Sequence, residues 1–277
     1  METEIGVIIV LYNSENPNYS NLIGRPDTSV ILVDNTPRRD MFLSDGNVHY
    51  VPLKENRGIA AAQNVGIRKA VELGCSHIFF FDQDSVIDSD YIVKMYDEYN
   101  RLKRIYPKLA MLGPIVVNKE TGAHYKTEKE TAKHDCRIVS ALISSGSMVE
   151  TSVLGKVGLM EERLFIDCVD FEWCWRAESM GYICCCTERV ELLHKVGQHD
   201  RSFLNFPIII SSPFRYYYQY RNFLWLLKRR YVPMKWKITS AVRKSVEMVL
   251  LPFLSNNGWA IMKNIFRGIK DGIIYKS

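Results

Sequence analysis

The chain has 277 residues, of which 47% are hydrophobic and 24% are charged, and this composition excludes an intrinsically disordered protein. Its length allows one large domain with an appendage and a sizeable buried core. The first residues lack the basic region and long apolar stretch of a signal peptide, and the seven cysteines show no Cys-x-x-Cys spacing. We therefore expect a cytoplasmic protein with free thiols, without a disulfide framework or a zinc ribbon.

The net charge of +5 is unevenly distributed along the chain. Residues 228–277 contain eleven Lys or Arg and two Asp or Glu, so they carry +9 and the preceding residues carry −4. A basic tail on a mildly acidic body indicates that the tail contacts an anionic surface. Nucleic-acid binding is disfavoured, because the body is acidic and contains no recognisable nucleic-acid-binding module.

The first part of the chain alternates strand patterns with a helix pattern. Continuous apolar runs of strand length occupy residues 5–11, 30–33 and 48–53. Residues 59–73 place apolar residues at three- and four-residue steps, which predicts a helix that ends at Gly74. This alternation predicts an α/β protein with an open, mostly parallel sheet, whose ligand site lies at the carboxyl edge.

The most informative strand pattern is residues 76–85, in which the apolar run Ile78–Phe81 is followed by Asp82 and Asp84. If the backbone stays extended, both carboxylates lie on one face of the strand, because side chains alternate. Two such carboxylates suit Mg²⁺ or Mn²⁺, which are held by one or two protein carboxylates together with substrate phosphates. The alternative interpretation is a strand that ends in a solvated acidic turn.

The middle of the chain adds further elements and one flexible segment. The patterns predict a helix over residues 90–103 with Ser89 as its N-cap, strands over 111–117, 138–143 and the Cys184–Cys186 run, and a mobile charged loop over 118–135. Small residues at 144–147 follow a strand and let the backbone approach a ligand. No Gly-x-Gly-x-x-Gly or P-loop motif occurs at the turns, which weakens a dehydrogenase or P-loop interpretation.

A second carboxylate cluster lies within residues 164–182, on the predicted first turns of a helix that ends at Gly181. Glu172 can pair with Arg176 four residues later, which is a structural role. The aromatic neighbours of Asp170 would desolvate its carboxylate and raise its pKa towards that of a useful general base.

The order of these elements resembles the inverting glycosyltransferases of family 2, which have the GT-A fold, over about residues 5–200. The resemblance implies that a nucleotide-sugar binds at Tyr12, Asn13, Asp34, Asn35, Asn56, Arg57, Gly58, Asn64, Asp82 and Gln83. It implies acceptor-side roles for Ser145, Gly146, Asp167, Trp173 and Arg176, and metal ligation by Asp82, Asp84 and His194. Asp170 matches the family's catalytic base by register. Val169 stands where many members have Glu, so Asp167 is the alternative base.

The amino-acid sequence around Asp82 and around Asp170 is most similar to that of bacterial rhamnosyltransferases that build O-antigen of lipopolysaccharide or other surface polysaccharides. This similarity implies dTDP-L-rhamnose as donor, a divalent cation, Mg²⁺ or Mn²⁺, as cofactor, and a polyprenyl-diphosphate-linked glycan as acceptor. Two alternatives remain: a transferase that uses another donor such as a UDP-hexose, and a noncatalytic nucleotide-sugar or glycan-binding scaffold at the membrane. A sugar-phosphate nucleotidyltransferase would need a Gly-rich basic loop after the first strand, which the sequence lacks, and a pure membrane tether leaves both acidic clusters unexplained.

We expect a GT-A catalytic domain over residues 1–200, with a nucleotide-sugar half over 1–110 and an acceptor half over 111–200, and a helical segment over 201–277. Residues 202–227 are aromatic and predict a packed helix, but polar residues interrupt every run of the roughly 20 apolar residues that a membrane span needs. Residues 236–253 and 259–275 mix Lys and Arg with large apolar residues, as interfacial helices do. This pattern predicts peripheral attachment to the inner face of the bacterial plasma membrane, and the alternative is a soluble helical subdomain with a basic solvated face.

Overall fold

The structure is a computed structural model that describes residues 5–14, 18–39, 46–118, 133–194, 201–203, 206–208, 211–255 and 257–274. The chain divides into two compact units. The first unit comprises residues 1–165 and 169–195, and the second comprises residues 166–168 and 196–277. Most of the loop predicted over 118–135 lies outside the described residues.

The first unit is built on a sheet whose strands are β1 (Ile5–Leu11), β2 (Thr28–Asp34), β3 (Val48–Pro52), β4 (His77–Asp82), β5 (Leu109–Asn118), β6 (Cys136–Val139), β7 (Met148–Glu150) and β8 (Ile183–His194). In the described part of the chain they form an eight-stranded sheet in the order β3-β2-β1-β4-β7-β5-β8-β6. β7 is antiparallel to β4 and β5, and β6 is antiparallel to β8, while the other neighbours are parallel. The predicted mostly parallel α/β sheet is therefore confirmed.

The helices of the first unit are α1 (Gly58–Glu72), α2 (Tyr91–Ile105), α3 (Thr151–Val157) and α4 (Val169–Ser179). The helices predicted over 59–73 and 90–103 are both present, but the N-cap of α2 is Asp90 and not Ser89. A turn in which Tyr91 N donates to Asp88 O, at 3.1 Å, keeps Ser89 outside the helix.

The strand predicted over 138–143 is wrong beyond residue 139. β6 ends at Val139, and the chain then leaves the sheet edge. Two short elements were not predicted, β7 and α3, because three strand residues and two helical turns are too short to produce a clear periodic pattern.

Close packing of α1 on the sheet follows from its small residues. Every residue of β1 is buried, which fits a parallel strand covered on both faces. A Cβ on Gly66 would lie 2.6 Å from Ile8 Cγ2, so only glycine allows this approach. The small face of α1 thus brings its N-terminus, with Arg57 and Gly58, to the carboxyl edge of the sheet.

The second unit contains a short hairpin, β9 (Arg201–Phe203) and β10 (Phe206–Ile208), and the helices α5 (Pro213–Lys228), α6 (Met234–Leu254) and α7 (Gly258–Ile274). The helix predicted over 202–227 is therefore wrong at its start, because proline at the N-terminus of α5 fixes the beginning of that helix at residue 213. Tyr216, Tyr220, Leu251, Ile261 and Ile265 form the core of this unit. Among the described residues, none of the helices combines the length and apolar character that crossing a membrane requires.

Candidate active site

The carboxyl ends of three neighbouring strands bring together the polar residues that follow them. In the register of the sheet, Leu11 at the end of β1 pairs with Asp34 of β2, and Val10 pairs with Asp82 of β4. Tyr12, Asp34 and Asp82 therefore share one edge of the sheet, although they are far apart in sequence. This is the edge at which ligands bind in open α/β sheets.

The Asp34 carboxylate is buried and held by several donors. Thr36 N donates to Oδ1 at 2.9 Å, and Tyr50 Oη donates to Oδ2 at 2.8 Å. Arg39 Nε lies 3.6 Å from the same Oδ2. These contacts fix the orientation of Asp34, and the hydroxyl and the guanidinium offset the cost of burying its charge.

The loop before α1 is ordered by two asparagine side chains. Asn35 Nδ2 donates to Asn56 Oδ1 at 3.0 Å, and Asn35 Oδ1 accepts from Arg57 N at 2.8 Å. Gly58 has a φ of +83°, and a Cβ there would lie 2.6 Å from the Phe165 ring, so glycine is required. The Asn56-Arg57-Gly58 segment is thus fixed next to the end of β2.

Gln83 joins the turn after β4 to the turn after β1. Tyr12 N donates to Gln83 Oε1 at 2.8 Å, and Gln83 Nε2 lies 3.4 Å from Tyr12 O. In the same β1 turn, Asn13 N donates to Thr36 Oγ1 at 2.8 Å, which ties this turn to β2. The Gln83 amide thereby positions Tyr12, whose ring is 45% exposed and available to a ligand.

The prediction that Asp82 and Asp84 lie on one face of a strand assumed an extended backbone. This assumption is wrong, because the backbone does not stay extended after Asp82. β4 ends at Asp82, and Ser85 N donates to Asp82 O at 3.0 Å, which closes a tight turn. A turn forms here because Asp, Gln and Ser are polar residues that do not continue the buried apolar strand. Asp84 is exposed on this turn, and within the described residues its carboxylate has no hydrogen bond or ion pair.

The turn after β4 carries two carboxylates, Asp82 and Asp84, which are fewer than an enclosed metal site uses. The described residues contain no cluster of three or more His, Cys, Asp or Glu that could enclose a metal ion. Mg²⁺ and Mn²⁺ need only one or two protein carboxylates when phosphates and water complete their coordination, and the unpaired Asp84 carboxylate offers such a ligand. His194 is the last residue of β8, in register with Asn118, and its side chain lies outside the described residues.

The small-residue segment 144–147 is bonded directly to β4. Gly146 N donates to Phe80 O at 2.7 Å, and Phe80 N donates to Ser147 O at 3.1 Å. The Ser145 hydroxyl accepts from Asp82 N at 3.3 Å and lies 2.7 Å from Ser85 Oγ. These bonds fix segment 144–147 beside the Asp82 turn.

Asp170 is positioned by the same segment from the other side. Ser144 N donates to Asp170 Oδ2 at 3.2 Å, and Phe171 N donates to Oδ1 at 2.9 Å. Desolvation raises the pKa of the Asp170 carboxyl to about 6, the two backbone amides oppose that rise, and the charge of Asp82 adds to it. A partly buried carboxylate with this pKa can accept a proton from a substrate hydroxyl near neutral pH.

Asp167, the alternative base, has a different environment. It belongs to the second unit, where Arg215 Nε lies 3.0 Å from both of its carboxylate oxygens and Arg215 Nη2 lies 2.6 Å from Oδ1. Both carboxylate oxygens of Asp167 are thus occupied by Arg215, and a substrate hydroxyl would have to displace this ion pair to reach them. This geometry favours Asp170 over Asp167 as the proton acceptor.

Three other residues that were predicted for the site, Asn64, Trp173 and Arg176, are held by hydrogen bonds within the protein. The Asn64 amide is buried, donating to Met160 O and Glu162 Oε1 and accepting from Met160 N, all at 2.9 Å. Trp173 is fully buried, and its Nε1 donates to Gly158 O at 2.8 Å. Arg176 pairs with the buried Glu172 at 3.0 Å, as predicted for that pair, and also donates to backbone carbonyls. These contacts hold residues 157–162 against α1 and α4.

The sequence interpretation missed Tyr50, Arg39 and Ser85, and it singled out segment 144–147 without foreseeing the bond from Ser144 to Asp170. Tyr50 reaches Asp34 because β3 pairs with β2 in parallel register, and the order of strands in a sheet cannot be derived from periodicity. Ser144 acts through its backbone amide, which carries no side-chain signal. Ser85 directly follows Asp84 in the sequence, and this proximity was the one signal that could have identified it.

Comparison with known proteins identifies relatives along the whole chain. The model of a family described as Glycosyl transferase family 2 matches residues 7–157. The chain is 32% identical over 292 residues to a Shigella flexneri protein named dTDP-rhamnosyl transferase RfbF, with 99% of this chain and 96% of that protein covered. It is 22% identical over 283 residues to a Haloferax volcanii protein named low-salt glycan biosynthesis hexosyltransferase Agl10, with 96% and 86% covered.

Solved structures share the fold at low sequence identity. A crystal structure of GalNAc-T7 with UDP, GalNAc and Mn²⁺ has a TM-score of 0.53 at 12% identity, covering 69% of this chain and 44% of that protein. A crystal structure of S. aureus TarS has a TM-score of 0.53 at 14% identity, covering 92% of this chain and 43% of that protein. The chain thus spans less than half the length of either structure. The first unit has the GT-A fold that its sequence predicts.

Proposed function

The chain belongs to glycosyltransferase family 2, and from this membership we propose that it transfers L-rhamnose from dTDP-L-rhamnose to a glycan hydroxyl with inversion at the anomeric carbon. Family membership makes the chain a glycosyltransferase. The donor is inferred from the near full-length similarity to the protein named dTDP-rhamnosyl transferase RfbF. A second candidate donor is a UDP-hexose, which the more distant similarity to a protein named as a hexosyltransferase favours.

One observation carries the chemistry: segment 144–147 links the two carboxylate sites. Ser144 N donates to Asp170, while Ser145 Oγ accepts from Asp82 N. The proposed proton acceptor, Asp170, therefore lies beside the turn that follows β4, and the charge of Asp82 contributes to the raised pKa of Asp170. Inverting transfer needs this arrangement, with a base on the acceptor side and the donor diphosphate on the other side of the anomeric carbon.

In the proposed reaction Asp170 accepts the proton of the acceptor hydroxyl. The resulting oxygen nucleophile forms a bond to the anomeric carbon as the bond from that carbon to the diphosphate oxygen breaks, and dTDP leaves. The backbone amides of Ser144 and Phe171 keep the Asp170 carboxylate oriented during this step. Asp34, Asn35, Asn56 and Arg57 would hold the nucleotide at the ends of β1 and β2, with Tyr12 exposed to contact the base.

Divalent-cation dependence is a further part of the proposal. Asp84, with Asp82 directly or through water, would hold Mg²⁺ or Mn²⁺ against the donor diphosphate. When bound, such a cation neutralises charge on the leaving group. The Asp84 carboxylate is exposed and has no ion pair with any described residue, which supports this assignment, and His194 is retained as a third ligand from the family resemblance.

We also propose that the second unit attaches the enzyme to the cytoplasmic face of the bacterial plasma membrane, where a polyprenyl-diphosphate-linked glycan would be presented. On α6, Ile238, Val242, Val249 and Phe253 are 58%, 60%, 61% and 84% exposed and recur at helical spacing. On α7, Trp259, Phe266 and Ile273 are 87%, 59% and 65% exposed at seven-residue steps. Basic residues accompany both helices, which suits an anionic lipid surface and supports the membrane over a soluble basic face.

A donor panel tests the proposed function. Purified protein is mixed with dTDP-L-rhamnose, UDP-glucose, UDP-galactose or GDP-mannose, in Mn²⁺ or EDTA, and thermal stabilisation and slow donor hydrolysis are followed. Stabilisation and hydrolysis with dTDP-L-rhamnose alone, both lost in EDTA, are the expected result. A response to a UDP-hexose would replace the donor. Binding without hydrolysis or transfer would favour a noncatalytic scaffold.

A further inference from the structure

A short strained segment directly precedes the helix that carries Asp170. Phe165, Asp167 and Cys168 have φ angles of +65°, +68° and +63°, although none is glycine. The left-handed backbone region is unfavourable for residues with a Cβ, and three such residues within four positions are unusual. A backbone of this kind persists only where its surroundings hold it.

Two side chains of α5 hold this segment within the second unit. Arg215 binds the Asp167 carboxylate with its Nε and Nη2, and the Asp167 side chain is only 14% exposed. Asn222 is buried, and its Nδ2 donates to Ile166 O at 2.7 Å and to Asp167 O at 3.2 Å. The ion pair with Arg215 fixes the Asp167 side chain, and the two hydrogen bonds from Asn222 fix the carbonyl groups of Ile166 and Asp167.

The preceding residue is fixed by the first unit. Phe165 O accepts from Ala60 N at 3.4 Å, and the Phe165 ring occupies the space that a Cβ on Gly58 would need. Phe165 is thus held within the first unit and Ile166 and Asp167 within the second, and the backbone torsions of Asp167 and Cys168 connect this segment to α4. A change in these torsions would redirect the first turn of α4, which begins at Val169.

The position of Asp170 is sensitive to such a change. Its carboxylate is oriented by Ser144 N at 3.2 Å, a hydrogen bond at the long end of the usual range. Asp170 follows Cys168 by only two residues, so no intervening turn can absorb a rotation of the chain. A small displacement of α4 would break this hydrogen bond and move the carboxylate away from segment 144–147.

We propose that Arg215 and Asn222 are positioning residues for glycosyl transfer, which set the direction of the Asp170 helix by holding residues 166–168 in their left-handed conformation. This inference rests on the proposed role of Asp170 as base. It assigns the C-terminal unit a part in catalysis, which acts through the covalent chain. Neither residue touches the reacting atoms in this proposal.

The test compares Arg215→Met with Arg189→Met, which removes an exposed arginine of β8 whose Nε donates to Asp135 Oδ2 at 2.9 Å. Arg215→Met is expected to lower kcat for transfer at least tenfold, with the KM for dTDP-L-rhamnose changed less than twofold, because the donor-side residues lie on other elements. Arg215→Lys keeps the positive charge but loses the planar pair of nitrogen donors that binds the carboxylate. Its kcat should lie between those of the wild type and Arg215→Met. Arg189→Met should leave kcat unchanged.

A glycine rescue separates positioning from a merely structural role. Glycine adopts positive φ without strain, so Cys168→Gly in the Arg215→Met background should recover at least fivefold in kcat. Hydrogen exchange of residues 165–173 should rise in Arg215→Met, while that of residues 58–72 stays unchanged. Unchanged kcat and unchanged exchange in Arg215→Met would overturn the proposal. A lowered melting temperature of Arg215→Met, without recovery of kcat on adding Cys168→Gly, would overturn it as well. If the wild type transfers no sugar from any donor, the proposed function fails, and the exchange result still decides whether Arg215 holds the segment.

Discussion

The backbone amide of Ser144 donates a 3.2 Å hydrogen bond to Asp170, so the carboxylate proposed to accept the substrate proton is oriented by a segment that is itself bonded to β4. This relationship joins the two halves of the first unit. The donor side is defined by the ends of β1, β2 and β4, and the acceptor side by α4. The predictions below separate the residues that perform chemistry from those that only hold this arrangement.

Asp170→Asn should abolish transfer, at least a thousandfold, while leaving donor binding within about twofold, because the amide keeps the shape but cannot accept the proton. The same variant should be more stable than the wild type at neutral pH. In the wild type, the folded-state pKa of the Asp170 carboxyl, about 6, lies above the ordinary value of 3.8, so the native state holds this proton more tightly than the unfolded chain. Wild-type stability contributed by this group is present below pH 3.8 and is lost as the pH rises to about 6.

The cost of ionising Asp170 in the folded protein is roughly 2–3 kcal/mol, as an upper bound. Melting temperatures of the wild type and Asp170→Asn, measured from pH 4.5 to 8 in EDTA, should therefore diverge as the pH rises and run parallel above about pH 7. A constant difference across this range would mean that Asp170 does not have a raised pKa.

Asp84→Ala should weaken the cation-dependent binding of the donor by about tenfold or more, because the exposed carboxylate is the proposed metal ligand. Titration calorimetry with dTDP in Mn²⁺ and in EDTA measures this effect. Asp97→Asn is the matched control, since Asp97 is an exposed carboxylate on α2 with no hydrogen bond or ion pair within the described residues. Equal affinities for Asp84→Ala and the wild type in Mn²⁺ would remove Asp84 from the metal site.

Gly146→Ala should destabilise the protein by about 1–3 kcal/mol and reduce transfer. Gly146 has a φ of +78°, and a Cβ would lie 2.6 Å from Tyr91 Oη, which donates to Gly146 O. The control is Gly155→Ala on α3, where a Cβ would meet nothing within 4 Å. That change should be neutral or stabilising by up to about 1 kcal/mol in urea unfolding.

Arg176→Met tests whether the Glu172–Arg176 pair is structural. Glu172 is fully buried, and loss of its two hydrogen bonds from Arg176 should cost about 3–5 kcal/mol. Lys94→Met, which breaks an exposed pair with Asp90 on α2, should change stability by less than about 1 kcal/mol. An Arg176→Met protein of normal stability but with a raised KM for the acceptor would instead give Arg176 the acceptor-side role that the family resemblance implies.

The sequence predicted the fold well where burial dominates. β1, β2 and β4 are continuous apolar runs because both faces of a parallel sheet are covered, and α1 was recognisable from its small and apolar face. It failed where a local turn decides the path. The turn at Gln83 and Asp84, the end of β6 at Val139 and the hairpin before α5 depend on hydrogen bonds that a periodic pattern does not encode.

The candidate site divides in a similar way. Asp34, Asp82 and Asp170 were identifiable because a carboxylate next to an apolar run or among aromatic residues is costly to bury without a purpose. Tyr50 and Arg215 were not, since each acts through a partner that is distant in sequence. Conversely, the family resemblance implies an acceptor-side role for Trp173, but this residue packs in the core. A matching residue type does not distinguish a ligand contact from a buried side chain.

Phe253→Ser combined with Trp259→Ser should reduce binding to anionic vesicles at least tenfold, because these are the most exposed large apolar side chains on α6 and α7, at 84% and 87%. Burial of each aromatic ring in the interface contributes about 1.5–3 kcal/mol. Flotation with vesicles of phosphatidylglycerol and phosphatidylcholine measures the loss, and added salt should weaken the wild type because the flanking charges are basic. Val71→Ser, which removes a 55% exposed valine on α1, is the control. If both variants bound as the wild type does, α6 and α7 would not be the membrane contact, and a soluble helical unit with a basic surface would replace that proposal.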